Sequence, residues 1–294
     1  MDTIPRPFRS TAASYAARSA APPALLGAFQ QGLPVRLIAT PRSELATCHV
    51  DEPVGAVLAR NREDYDFFPV TDGGVGAEER IVGLLDVASL RAEASPDGTA
   101  GQRMRPLCDH TLIGADASIL AFLRDADTKP CRLLVSGLRI EGLVSLSDIQ
   151  KLPVRAALFA LITQAEMTMA DAIRREFEGS SEWRARLSPD RREKLDGEIT
   201  EAHAADRWVD DLLFTQFKDK VTILMRSPRF AFSKRAFERE MDAARKLRDN
   251  LAHANEYAVS RSAAEGVCKT VRHIETWTER LHAWPRDEQS AGAQ

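Results

Sequence analysis

The stretch IEGLVSLSDI, residues 140–149, decides the fold of the first half of this chain, because a second version of it lies upstream. That version is IVGLLDVASL, residues 81–90. Each reads as an apolar strand, a glycine, two more apolar residues and a polar turn that opens a helix. An apolar strand also precedes each copy, FFPV at 67–70 and RLLV at 132–135. The upstream copy carries extra residues, GGVGAEER at 73–80, between its two strands. A duplicated phrase of this length predicts two pseudo-symmetric units packed together. Short apolar runs punctuated by Gly and Asp, with the amphipathic ILAFLRDA at 119–126, make 35–152 a small α/β pair.

Beyond Pro153 the period changes from two to about 3.6 and strand signals fade. The pattern predicts helices near 156–178, 189–205, 209–225, 234–257 and 263–283. Ser188 before Pro189 is a cap followed by a proline suited to a first helical turn. Five helices in 153–285 predict an all-α bundle, so the whole chain is of the α+β class. Residues 1–34 are rich in Ala, Ser, Pro and Arg with Asp2 as the sole acid. Organelle transit peptides share that composition, but the segment reads as a flexible tail, as does 286–294.

The 294 residues carry a net charge of only −3, so a contact with RNA has to come from a local patch. No apolar run approaches the roughly 20 residues of a membrane span; AALFALI, 156–162, is the longest. Cys48, Cys108, Cys131 and Cys268 are scattered without CxxC spacing. That argues against structural zinc and disulfides and fits a reducing cytoplasm, with no membrane partner.

The downstream phrase resembles the closing motif of paired cystathionine-β-synthase (CBS) domains: Gly, two apolar residues, Thr or Ser, two variable residues, Asp. Gly142, Leu143, Val144, Ser145, Leu146, Ser147 and Asp148 match it. The resemblance implies a regulatory adenine nucleotide (ATP, AMP or a cyclic dinucleotide), with Ser145 at phosphate and Asp148 at the ribose hydroxyls. A carboxylate accepting two hydroxyl protons and a hydroxyl beside backbone N–H groups suit those tasks. The upstream copy departs from the motif, with Asp86 in the hydroxyl position and Ser89 in the acid position. One competent site, at Gly142, Ser145 and Asp148, is therefore expected. The residues alone also allow Asp148 to be a helix cap and the pair to be a dimerisation scaffold.

In the helical half, KLRDNLAHANEYA at 246–258 sets Arg248 five positions before His253. Spacing alone decides nothing, since Arg105 with His110 and Arg42 with His49 show similar gaps. The context adds more. Leu247, Leu251, Ala254 and Ala258 form an apolar stripe, and Asp249 stands four before His253, within hydrogen-bonding reach on a helix. Arg248 lies about 140° around the helix from His253, so two copies meeting at a two-fold could pool their pairs.

This stretch resembles the signature of the HEPN helical domains: Arg, a polar residue, several more, then His, often after Ala. Arg248, Asp249, Asn250, Ala252 and His253 fit, with Asp249 replacing the more usual Asn. The resemblance extends over about 156–283 and includes LFALITQAEMTMADAI, 158–173, where Glu166 occupies a polar position common in the family. It implies a homodimeric, metal-independent ribonuclease with RNA as substrate and no catalytic cofactor. His253 would move protons and Arg248 would stabilise the phosphorane-like transition state, with Asp249 and Asn250 in the same site. Attack by a ribose 2′-oxygen would exclude DNA. Other members imply a non-catalytic sensor that signals to a partner, or a toxin held by an antitoxin. Resembling architectures point to stress response or phage defence. Between 218 and 250 ten basic residues face five acids, a local +5. Phe230 and Phe232 interleave with that charge and read as core.

Overall fold

The duplicated phrase folds as two copies of one strand pair. In the computed structural model the described residues are 32–73, 79–94, 96–205 and 210–284, so the expected tails lie outside them apart from 32–34. Two compact units divide the chain: 32–158 with 255–271, and 159–254 with 272–284, among the described residues.

In chain order the first unit contains β1 (Thr40–Pro41), β2 (Cys48–His49), α1 (Val54–Arg60), β3 (Phe67–Asp72), β4 (Arg80–Asp86), α2 (Val87–Arg91), α3 (Ala100–Arg103), β5 (Arg105–Pro106), β6 (Leu112–Gly114), α4 (Ile119–Leu123), β7 (Cys131–Ser136) and β8 (Arg139–Ser145). They form two four-stranded sheets, ordered β2-β3-β4-β5 and β1-β8-β7-β6. In each, a parallel pair is joined through a helix, α1 or α4, as parallel pairing demands. An antiparallel hairpin follows, with Phe67 opposite Asp86 in one copy and Cys131 opposite Ser145 in the other. The register slips at the same place in both, between Val70 and Thr71 and between Leu134 and Val135. The β7–β8 turn is tight, and Gly137 supplies the positive φ of 57° that it needs.

Each sheet takes its fourth strand from the start of the other copy. β1 precedes the first copy but lies on β8, with Pro41 opposite Gly142; β5 precedes the second copy but lies on β4, with Pro106 opposite Gly83. This exchange explains the repeated glycine. A Cβ at Gly142 would stand 2.5 Å from the Thr40 carbonyl oxygen, and one at Gly83 would stand 2.7 Å from that of Arg105. The approach of the borrowed strand therefore excludes any side chain at either position.

Two apolar layers result. Phe68, Val70, Leu85 and Val87 pack with Val54 and Val57 on the helical side, while Ile81, Leu84, Cys131 and Leu133 pack in a separate cluster. Each such large side chain contributes about 1.5–3 kcal/mol on burial. Each copy stacks an arginine on a phenylalanine with the roles of helix and strand exchanged: Arg60 of α1 lies 5.3 Å over the Phe68 ring of β3, and Arg132 of β7 lies 5.1 Å over that of Phe122 in α4. Buried Arg132 donates through Nη2 to Asp125 at 2.6 Å and to the Phe122 carbonyl at 3.0 Å, while its buried Nε has no hydrogen-bond partner among the described residues.

Residues 255–271 belong to this first unit. Tyr257 is buried, and its hydroxyl donates to the Ile149 carbonyl at 2.5 Å. The Arg155 guanidinium lies 4.9 Å over its ring and donates to the Asn255 carbonyl at 2.7 Å. Burial pushes the phenol up to about 12.

The helical part consists of α5 (Leu152–Glu176), α6 (Pro189–Ala204), α7 (Phe217–Met225), α8 (Lys234–Ala252) and α9 (Arg261–Ala283). The unit division falls inside α5 and α9. The helix expected from 209 begins only at Phe217, because Gln216 and Asp219 form a capping box there, after a 3-10 turn at Asp211–Phe214. The helix expected to run to 257 stops at Ala252, since Ala254 takes the left-handed conformation, φ 54°, that closes helices. The apolar stripe therefore ends near Leu251, and Ala254 is exposed. Helix α5 is long and apolar enough to cross a membrane by length and composition, although its longest uninterrupted apolar run is only AALFALI, 156–162. Of its most apolar window 61% is buried inside the protein, as in a core helix. An aromatic cluster fills the helical unit: Phe237 lies 4.8 Å from Trp277 and 5.2 Å from Phe230, which is buried as expected.

Candidate functional site

Ser233 caps α8 by accepting from the Ala236 N–H. Phe237, Met241, Ala244 and Leu247 then follow as a buried stripe at helical spacing. Arg248 and Asp249 flank that stripe, which leaves both half-buried. Arg248 donates to Asp249 Oδ1 at 2.9 Å, its Nη1 stands 3.9 Å from Glu166 Oε2, and its guanidinium lies 5.8 Å over the Phe217 ring. The other Glu166 oxygen accepts from Lys220 Nζ at 3.0 Å. Lys220 is buried and donates also to the Thr215 carbonyl at 2.7 Å. The result is a row of alternating charge: Lys220, Glu166, Arg248, Asp249, and Arg245, which holds Asp249 Oδ2 at 2.8 Å.

The expected hydrogen bond from His253 to Asp249 is absent. Two guanidinium groups occupy both oxygens of Asp249 with charge-assisted bonds, and α8 ends before His253. His253 lies one residue past the end of α8, is exposed, and has no side-chain partner among the described residues; its backbone N–H donates to the Asp249 carbonyl at 3.1 Å. Asn250 sits half-buried on the last turn, with no side-chain hydrogen bond among the described residues. The basic patch is less free than its composition suggests. Lys220, Arg229, Arg239, Arg245, Lys246 and Arg248 are all ion-paired. The sequence pattern singles out Glu166 and counts Lys220 in the basic patch of 218–250, but not as the buried partner of Glu166. Its signal was present: Lys220 falls on the stripe made by Phe217, Val221 and Leu224.

In the first unit, Ser145 ends β8 and faces a cleft of about 380 Å³. Its hydroxyl is 2.7 Å from that of Ser147. Asp148 is turned inward. Its Oδ2 accepts from the Ser145 N–H at 2.7 Å, its Oδ1 pairs with Lys151 Nζ at 2.7 Å, and the residue is 5% exposed. Asp148 thus serves as a cap, and both of its oxygens are engaged. Gly142 stands under the borrowed strand described above. In the other copy Asp86 caps α2 through the Ser89 N–H at 3.0 Å and pairs with Arg105 at 2.7 Å. Arg105 comes from the borrowed strand β5, so the strand exchange also supplies the cation that neutralises Asp86. A second cleft, of about 1050 Å³, opens beside the β7–β8 hairpin, with Arg42, Arg80 and Arg139 among its lining residues. No group of three His, Cys, Asp or Glu side chains suited to a metal occurs among the described residues.

Comparison with family models and with curated proteins finds no match for this chain. Solved structures do match its first part. The CBS domain of a bacterial CNNM/CorC family Mg2+ transporter in complex with ATP is 22% identical, over 45% of this chain and 93% of that one, at a TM-score of 0.35. CBSX2 in complex with AMP is 19% identical, over 43% and 97%, at 0.33. A CBS domain-containing protein of unknown function from Bacillus anthracis is 17% identical, over 43% and 96%, at 0.35. The first unit itself consists of two duplicated sheets with exchanged edge strands. The chain as a whole is mixed α+β, with CBS-like sheets first and helices after them.

Proposed function

We propose that this protein is an RNA-cleaving enzyme of the HEPN type, held in the cytoplasm and regulated by an adenine nucleotide bound to its CBS-like pair. The observation that carries the nuclease reading is the disposition of Arg248 and His253. Arg248 is fixed on the last turn of α8 by Glu166, Asp249 and the Phe217 ring, while the side chain of His253, five residues on, is exposed and without a partner among the described residues. A neutral imidazole in that state can take the proton of a ribose 2′-hydroxyl. The 2′-oxygen then attacks phosphorus, the 5′-oxygen leaves with a proton, and a 2′,3′-cyclic phosphate remains. The guanidinium fork of Arg248 stabilises charge on the non-bridging oxygens. In a homodimer the second His253 would supply the proton to the leaving oxygen. The regulatory reading rests on the cleft at Ser145, whose volume of about 380 Å³ suits a small ligand.

The test is cleavage of RNA in EDTA by the full-length protein, beside Arg248→Ala and His253→Ala. Cleavage to cyclic-phosphate ends is expected, reduced about 10²-fold or more by either substitution. No cleavage by the wild type, or activity that survives both substitutions, refutes the nuclease reading. One observation favours a second reading, a non-catalytic nucleotide sensor: two carboxylates, Glu166 and Asp249, lie on Arg248 and offset the charge that a transition state would use.

A further inference from the structure

The cleft at Ser145 is not made by the repeat alone. Part of its wall comes from the segment after Tyr257, through Val259, Ser260 and Arg261. This segment is fixed in place by the buried Tyr257, whose hydroxyl bonds the Ile149 carbonyl in the short helix that directly follows Ser145. One cleft therefore gathers three serines (Ser145, Ser147 and Ser260), Tyr65 and one arginine (Arg261). It also carries Asp66, whose carboxylate has neither an ion pair nor a hydrogen bond among the described residues. The inward turn of Asp148, with both oxygens committed, leaves Asp66 as the open carboxylate on this cleft, since Asp64 pairs with Arg91.

We infer that Arg261 is the phosphate-binding residue of this cleft and Asp66 its ribose-binding residue, so that a nucleoside monophosphate is held jointly by the repeat and by the C-terminal segment. This rests on the reading of the cleft as a nucleotide site and assigns its chemistry. The Arg261 side chain is 62% exposed and, among the described residues, pairs only with Glu265 at 3.2 Å, so its fork can turn to an arriving phosphate. The ammonium of Lys151, bound to Asp148 and the Ile38 carbonyl, is already committed. Asp66 accepts hydroxyl protons without first losing a partner. The assignment also gives the ligand a route to regulation. Only six residues separate His253 from Ser260 in the chain, so a ligand that grips Ser260 and Arg261 restrains the segment into which His253 runs.

The test is calorimetric titration of the full-length protein with AMP, adenosine and 2′,3′-dideoxyadenosine monophosphate. The wild type is expected to prefer AMP to adenosine by about tenfold or more, the worth of a charge-assisted contact. Arg261→Gln removes most of that preference and leaves adenosine binding in place. Arg139→Gln, a change of equal charge at the other cleft, leaves it intact. Asp66→Asn removes the preference for AMP over the dideoxy compound. In hydrogen exchange, AMP protects 255–261 in the wild type and fails to do so in Arg261→Gln. An unchanged AMP preference in Arg261→Gln, with binding lost in Ser145→Ala, would show that the repeat alone holds the phosphate and would overturn the inference while sparing the nucleotide site. Absence of AMP binding to the wild type at millimolar concentration would overturn the site itself.

Discussion

Replacing Gly142 by Ala probes the strand exchange that defines the first unit. The added Cβ would stand 2.5 Å from the Thr40 carbonyl oxygen, and ordinary contact begins at 3.4 Å, so β1 must retreat by 3.4 − 2.5 = 0.9 Å. The obstacle is backbone on a strand of two residues, so no rotamer change relieves the clash. Retreat breaks the pairing of Thr40 with Leu143 and of Pro41 with Gly142. Overpacking of this kind costs about 1–3 kcal/mol. The lost β1 hydrogen bonding places the effect in the upper half of that range, equivalent to roughly 2–4 °C of melting temperature per kcal/mol. Gly83→Ala should behave similarly, since the Arg105 carbonyl is fixed backbone, although the Met104 side chain can move aside. Gly114 is the control in the same unit: nothing lies within 4 Å of its Cβ position, and alanine there should be neutral or stabilising by about 0.5 kcal/mol. The assay is urea unfolding of all three variants, followed by circular dichroism and tryptophan fluorescence. If Gly142→Ala matches Gly114→Ala, the borrowed strand does not lie where the sheet order puts it.

Further outcomes follow from individual contacts. Tyr257 has its phenol raised from 10.0 to about 12, so its stabilising contribution is complete below about pH 10 and is lost as pH rises toward 12, because the unfolded chain ionises first. Urea midpoints measured across that window should fall more steeply for the wild type than for Tyr257→Phe, which should itself cost about 1 kcal/mol at neutral pH through the lost bond to Ile149. Ala254→Gly relieves a left-handed alanine and should stabilise the protein by about 0.5–1 kcal/mol in thermal melting. Lys220→Met leaves Glu166 to Arg248 alone and should cost about 1–3 kcal/mol, with Lys220→Met combined with Glu166→Gln recovering part of it in a double-mutant cycle; purely additive losses would mean that the pair is not coupled.

The repeat was legible in the sequence because strand alternation and turn chemistry are local, and the four long strands lie where the apolar runs put them. The reason for its glycines was not legible, since the obstructing carbonyl of Thr40 is about a hundred residues from Gly142. The end of α8 was misplaced for a similar reason. Ala254 adopts a backbone conformation that a glycine would have announced, and the chain beyond it is held by Tyr257 against Ile149, a contact over 108 positions. Capping by Asp148 was readable as one of two options, and its pairing with Lys151 three residues on is an ordinary helical-spacing contact. The failed Asp249–His253 bond had its rival in plain view, because Arg245 stands four before Asp249 just as His253 stands four after it. The apolar length of α5 is hidden in the sequence because Thr163, Gln164 and Glu166 break it just after AALFALI, 156–162.

The most direct measurement is the rate of RNA cleavage by the full-length protein in EDTA, with and without saturating AMP, for the wild type and for Ser145→Ala, Arg248→Ala and His253→Ala. A regulated HEPN-type nuclease should cleave without metal, change its rate with AMP, lose that response but not its basal activity in Ser145→Ala, and lose activity in the other two. Cleavage indifferent to Arg248 and His253, or none in any nucleotide state, would contradict it.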